Sequence, residues 1–143
     1  MFPIRTILHP TDFSEAAQEA FALAASLARD HGSRLVVLHV DPLPVGHDEV
    51  IARRDRAAYE KPLWDLLRQV KVTDAQVTLE HQLAEGDPAA EILRVARESG
   101  CDLIVMGTQG RSGLARLVLG SVAEKALRQA PCPVVTVKVP RRA

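Results

Sequence analysis

The glycines of this chain are spaced for phosphate chemistry. Asp102-Leu103-Ile104-Val105-Met106 is a short apolar run that stops in Gly107-Thr108-Gln109-Gly110-Arg111-Ser112-Gly113, and after Leu114 to Leu119 comes Gly120-Ser121-Val122-Ala123-Glu124. The apolar run reads as a strand buried on both faces. Ser121 with Glu124 three places on matches a capping box, which predicts a helix from Val122 to about Gln129 with Ser121 as its cap. A glycine loop between such a strand and such a helix is an anion cradle. Glycines place no Cβ between backbone N–H groups and phosphate oxygens, and the helix N-terminus adds partial positive charge. Two other phosphate motifs are excluded: there is no Gly-Lys-Ser/Thr of a Walker A loop, and no G-x-G-x-x-G follows a strand.

A second loop, Pro10-Thr11-Asp12, offers a hydroxyl and a carboxylate. Carboxylates accept hydrogen bonds from ribose hydroxyls and amides donate to phosphate, so the two loops together match a sugar with a polyphosphate. Singly, each has a plain structural reading. Asp12 serves equally as a helix cap or Asx-turn residue, Arg111 as a solvated loop charge, and glycine loops between strand and helix occur in domains that bind nothing. Only their convergence favours a site.

That convergence depends on the elements. Ile4 to His9 reads as a strand closed by Pro10. Ser14 caps a helix with Glu15 in its first turn and Ala16, Ala17, Ala20, Phe21, Ala24, Leu27 and Ala28 at helical spacing, ending at Gly32. Arg34 to Val40 is a second buried strand, broken by Asp41-Pro42. Val45 to about Lys71 reads as one long helix or two pieces, with Pro62 starting a turn or kinking it and Leu63, Trp64, Leu66, Leu67 and Val70 as its apolar stripe. Gln76 to Leu83 alternates as a strand near a sheet edge does. Asp87 caps the next helix, with Pro88 at its first position, and Gly100 ends it. Pro131-Cys132-Pro133 then leads stiffly into a last strand, Val134 to Val139.

Strands alternating with helices in this way predict an α/β fold, a five-stranded parallel sheet with right-handed crossovers and helices on both faces, in one domain spanning residues 1–143. Ligands of such sheets sit beyond the carboxyl ends of the strands where the strand order reverses. If the order is flavodoxin-like, with the first strand central and the fourth beside it, the Pro10–Asp12 and Gly107–Gly113 loops meet there.

The 143 residues carry 18 basic and 18 acidic side chains, a net charge of zero, which argues against nucleic acid or a membrane surface as a partner. Cys101 and Cys132 stand in no C-x-x-C spacing and near no His cluster, so they read as buried thiols, with no disulfide framework or metal site. His9 and His39 read as satisfied core or edge groups, His31, His47 and His81 as surface. Met1-Phe2-Pro3-Ile4-Arg5 lacks the apolar region of a secretory signal and no run reaches membrane-spanning length, so a cytoplasmic protein is expected. The unprotected edge of Val134 to Val139 predicts a homodimer.

Gly107-Thr108-Gln109-Gly110, nine intervening residues and Gly120-Ser121 resemble the G-x2-G-x9-G-(S/T) signature of the ATP-binding branch of the universal stress protein family. Ile7 to Ser14 is similar to that family's first strand and turn, and Pro131 to Val135 to the approach to its last strand. The resemblance implies a flavodoxin-like sheet with strand order 3-2-1-4-5, usually a homodimer, that binds ATP, with Mg, in stress adaptation. It implies that Asp12 holds ribose, that the Val40 backbone meets adenine, and that Pro10, Thr11 and Met106 wall base and sugar. Gly107, Gly110, Arg111, Gly120, Ser121 and Val122 would surround the phosphates. No catalytic residue follows, because phosphoryl chemistry needs a positioned base and a metal clamp. Asp12 is the one loop carboxylate and no Walker lysine exists. Slow ATP hydrolysis, or autophosphorylation at Ser112, is the alternative to simple binding.

Overall fold

A strand apolar at every position must be covered on both sides, and the strands at the centre of this protein are. The computed structural model describes residues 2–42, 50, 53–108 and 120–139. Its elements run β1 (Thr6–Pro10), α1 (Glu15–His31), β2 (Arg34–Asp41), α2 (Arg56–Gln69), β3 (Thr78–Glu85), α3 (Pro88–Ser99), β4 (Leu103–Gly107), α4 (Ser121–Gln129) and β5 (Val134–Val137). All pairings are parallel and the order is β3-β2-β1-β4-β5, the flavodoxin-like arrangement that the resemblance implies.

Alternate strand residues feed two apolar layers. On one face Leu8, Val36, Leu38, Ile104 and Met106 meet Ile92, Val95 and Ala96 of α3 and Ala123 and Ala126 of α4. On the other, Ile7, Leu35, Val37 and Val105 meet Ala20, Ala24 and Ala28 of α1 and Leu67 of α2. Ile7, Leu8, Leu35, Leu38 and Ile104 are fully buried, each contributing roughly 2 kcal/mol by leaving water. The Arg34–Glu80 ion pair across β2 and β3, at 3.1 Å with both side chains over 40% exposed, contributes at most about 1 kcal/mol. The sheet's two faces, rather than its surface charges, hold the fold.

Several boundaries differ from the sequence expectation. β1 takes in Pro10, because the amide that proline lacks is not called on there; the next one, Thr11 N–H, donates to the Leu38 carbonyl at 2.8 Å. β2 and β3 run on in register to Asp41 and Glu85. β5 ends at Val137, whose carbonyl takes the Thr108 N–H. The expected capping box does not form. Gly120 is the cap of α4 and Ser121 its first residue, with no side-chain bond at the cap, and Glu124 pairs instead with Arg128 at 2.8 Å. The cause is the Gly120 N–H, which donates to the Thr108 carbonyl and so sets the helix start one residue early. In the Val45–Lys71 span α2 begins at Arg56, capped by Asp55, and runs unbroken through Pro62. The proline ring leaves the Ala58 carbonyl without a helical donor, at an exposed residue.

Three histidines act as links between elements. Carbonyls only accept, so the ring nitrogen facing each must carry the proton. His81, expected at the surface, is half-buried, and its Nε2 donates to the Val70 carbonyl at 2.7 Å, tying β3 to the end of α2. His39 Nδ1 donates to the Thr11 carbonyl at 2.7 Å. His9 is fully buried beside the Phe21 ring, and its Nδ1 donates to the Val105 carbonyl at 2.9 Å. That bond closes a gap in the sheet: β1 and β4 pair only at Ile7↔Leu103 and Leu8↔Ile104, so beyond those residues the two strands part.

Among the described residues His9 Nε2 has no partner, and protonating it would leave a buried cation. Desolvation accordingly pulls its pKa from 6.5 to about 4, against the raising effects of the Val105 carbonyl and of Asp12. The unfolded chain takes up the proton first as pH falls, so the folded state loses stability from about pH 6.5 down to pH 4 and no further. Denaturant unfolding should show about 3 kcal/mol lost between pH 7.5 and pH 4 from this group. The His9→Gln variant should lack that component of the slope; an unchanged slope would exclude His9 as its source.

Candidate functional site

The parting of β1 and β4 opens a cleft at the carboxyl end of the sheet. Its volume is about 420 Å³, within the range of small-molecule sites. Pro10, Thr11 and Asp12 line it from the β1 loop, Val40 from β2, Met106 and Gly107 from β4, and Gly120, Ser121 and Val122 from the start of α4. Every expected site residue that the structure describes therefore lies on one cleft. Gly110 and Arg111, with Ser112, lie outside the described residues.

The β1 loop is held by its own side chains. Thr11 Oγ1 accepts from the Phe13 N–H at 3.1 Å, Asp12 Oδ1 accepts from the Ser14 N–H at 3.0 Å, and Ser14 Oγ accepts from the Ala17 N–H at 3.2 Å to cap α1. Asp12 thus makes the Asx turn and also lines the cleft. The chain of turns forces Phe13 to φ 64°, a left-handed conformation costing a side-chain-bearing residue roughly 1–2 kcal/mol. The Phe13 ring packs on the His39 ring, centroids 4.5 Å apart, and His39 grips the Thr11 carbonyl. Those contacts, both from β2, offset the strain and fix where the Asp12 carboxylate stands.

The walls divide by chemistry. Leu38, Val40, Pro42, Leu63, Ile92 and Met106 give apolar surface suited to a flat ring, and Asp12, Thr108 and Ser121 give polar groups. Parallel connectivity starts each crossover helix at this rim, and Ala17 of α1, Pro88 of α3 and Ser121 of α4 all reach the cleft. Their helix N-termini aim partial positive charge at it. None of the described lining residues is Lys or Arg, so among them the groups that could donate to an anion are backbone amides and the hydroxyls of residues such as Thr108 and Ser121.

Gly107 has a second reason to be glycine. A Cβ there would lie 2.9 Å from Ala16 Cβ, 3.0 Å from Ala16 C and 3.1 Å from Ala17 N. The position seats the end of β4 directly on the first turn of α1, a packing demand independent of any ligand.

The sequence reading missed His39, Asp41, Leu63, Thr108, Pro88 and Ile92 as lining residues. His39 and Asp41 flank Val40 at the end of β2, where the rule that ligands sit beyond strand ends could have found them. Asp41 is further held by the Tyr59 hydroxyl of α2, which donates to its carboxylate at 3.1 Å. Nothing local marks Leu63, which is brought to the rim only by the docking of α2. Among the described residues no group of three or more His, Cys, Asp or Glu is placed to hold a metal ion, and no helix is long and apolar enough to cross a membrane.

A parallel sheet of this order, with a cleft at its switch point walled by a glycine-ended strand and a helix start, defines a flavodoxin-like α/β protein. The profile of the universal stress protein family matches residues 3–138, and the chain belongs to that family. It is similar to a universal stress protein of Thermus aquaticus, 38% identical over 141 residues that cover 94% of this chain and 98% of the relative. Among solved structures it is similar to the universal stress protein UspA from Lactobacillus plantarum, with a TM-score of 0.77, 28% identity and coverage of 94% of this chain and 97% of that one. It shares its fold with a universal stress protein solved in complex with cAMP, at a TM-score of 0.70, 24% identity and coverage of 94% and 97%.

Gly107→Ala should destabilise the fold by about 1–3 kcal/mol, read as a lowered urea midpoint with unchanged slope. Adding Ala16→Gly should restore only part of it, because the Ala16 and Ala17 backbone atoms stay in place. A Gly107→Ala protein as stable as the parent would show that the packing demand is absent.

Proposed function

We propose that this protein is a member of the ATP-binding branch of its family, a nucleotide-dependent regulatory module acting in stress response in the cytoplasm. The observation that carries this reading is the meeting of Asp12, Gly107 and Gly120 on one cleft where the strand order reverses. The cAMP complex of a chain with the same fold supports it, since that architecture accommodates an adenine nucleotide.

In this reading adenine lies against the Val40 backbone and the apolar wall, with Pro10, Thr11 and Met106 around base and sugar. The Asp12 oxygen left over from the Ser14 bond accepts from a ribose hydroxyl. Gly107, Gly110, Arg111, Gly120, Ser121 and Val122 surround the phosphates of ATP, with Mg bound to the nucleotide. Regulation follows if the γ-phosphate contacts the glycine loop in one conformation more than in another, since a ligand shifts an equilibrium only through differential affinity.

Calorimetric titration with Mg-ATP tests the reading. Saturable binding is expected. Asp12→Asn should weaken it about tenfold, or roughly 1.4 kcal/mol, without lowering the melting temperature, because asparagine keeps the acceptor for the Ser14 N–H while replacing the second oxygen by a donor. Gly110→Val should abolish binding. Absence of saturation at millimolar nucleotide would refute the proposal.

The same module is proposed to work as a homodimer through the Val134–Val139 segment, of which β5 is a sheet edge. The Pro133 and Val137 carbonyls accept from β4, so by strand alternation Thr136 turns its N–H and C=O to the open side. Thr136→Pro should then give a monomer by light scattering while leaving the β4 ladder intact. A parent protein of monomeric mass at micromolar concentration would remove the dimer from the proposal.

A further inference from the structure

At the rim opposite the cleft, two thiols from distant parts of the chain face one another. Cys101 Sγ and Cys132 Sγ are 3.7 Å apart, 31 residues apart in sequence, and both cysteines are free. The sequence spacing gives no reason to pair them. Parallel pairing of β4 with β5 does, because each cysteine lies just before its strand, and Ile104↔Val134 is the first register pair.

Their backbones are pinned on every side. The Cys101 N–H donates to the Ala96 carbonyl, the Asp102 N–H to the Thr6 carbonyl at 2.8 Å, and the Ile104 N–H to the Pro133 carbonyl at 3.0 Å. Pro131 and Pro133 fix φ on both sides of Cys132. The sulfur contact is therefore set by the sheet and not by a wandering loop. About 1.7 Å of further approach brings the sulfurs to S–S bonding distance, ~2 Å.

Access is asymmetric. Cys101 is 6% exposed within the α3/α4 core, whereas Cys132 is half-buried at its margin. From this geometry we infer that Cys101 and Cys132 form a modification site, an intramolecular disulfide made by exchange with a small-molecule disulfide, that covalently closes the segment 101–132. Cys132 reacts first: its thiolate attacks one sulfur of the small disulfide, forming a mixed disulfide and expelling one small thiolate. Cys101 as thiolate then attacks Cys132 Sγ, forming the internal bond and expelling the second small thiolate. The two protein thiols are oxidised, the small disulfide is reduced to two thiols, and the two cysteine protons end on them.

The closed segment contains β4, the Gly107 and Gly120 ends of the cleft, and α4, so oxidation ties the start of β4 to the approach to β5. Burial pushes the Cys101 thiol up to about 12 and raises that of Cys132 as well. Few thiolates form at neutral pH, which makes the exchange slow and strongly alkaline-promoted.

The experiment is incubation of the reduced full chain with glutathione disulfide at several pH values. Titratable thiols in denaturant should fall from two to none, the mass should drop by two hydrogens without an adduct, and non-reducing electrophoresis should show a single chain. The rate should rise about a hundredfold from pH 7 to pH 9, as the thiolate fraction grows tenfold per unit. The melting temperature should rise by about 5–10 °C and return on reduction. Cys101→Ala and Cys132→Ala, which replace a buried and a half-buried thiol by a small apolar group, should both fold and both lack that rise. A lasting glutathione adduct on the parent, a covalent dimer, or two thiols still free at pH 9 would overturn the inference.

Discussion

β1 and β4 stop pairing at Leu8 and Ile104, and the cleft exists because of it. Parting two central strands leaves main-chain groups unbonded in the protein interior, which is costly unless something else bonds them. His9 supplies that bond to the Val105 carbonyl, so the imidazole is the device by which the sheet opens without losing an interior hydrogen bond. Once the strands diverge, Gly107 is free to rest on the first turn of α1. The helix it seats begins at the Ser14 cap, and the Ser14 N–H in turn donates to the Asp12 carboxylate. The position of the carboxylate at the cleft is thus traceable, contact by contact, to where two strands cease to pair.

Three of the histidines share one chemistry, that of a structural hydrogen bond. His9, His39 and His81 each spend a ring N–H on a carbonyl of another element. A neutral imidazole suits this use because it carries a directional donor on a rigid, largely apolar ring that can itself pack, as His39 does against Phe13 and His9 near Phe21. Lysine would bring a charge to such places, and burying it without a partner would be costly.

The order of elements and the parallel pairing were legible because the central strands are mostly apolar, the edge strand β3 alternates, and the breaks fall at glycine, proline and aspartate. Ser14, Asp87 and Gly100 act where local chemistry puts them. What local chemistry misreads is decided by tertiary bonds. Ser121 and Glu124 satisfy a capping rule, yet the Gly120–Thr108 hydrogen bond shifts the helix start. His81 is polar and reads as solvent-facing, yet its ring meets the Val70 carbonyl at the end of α2. In the site, the residues on strand ends could be read from the topology, whereas Leu63 and the Ala16 contact of Gly107 could not, because they depend on how closely a helix approaches the sheet. The nearness of the two cysteines was hidden for the same reason: only the β4/β5 register makes residues 101 and 132 neighbours.

The Asp102 carboxylate accepts from the backbone N–H groups of both Arg5 and Thr6, at 2.9 and 3.1 Å. The start of the first strand is thus clasped by a residue nearly a hundred positions downstream, and β4 is one of its two neighbours in the sheet. β1 can pair with β2 early in synthesis, but the middle of the sheet stays one-sided until β4, some sixty residues beyond β2, has been made. Contacts of such long sequence separation form slowly and leave apolar strand edges uncovered meanwhile. Between the appearance of the second strand and the fourth, the edge of β1 that β4 covers stays open.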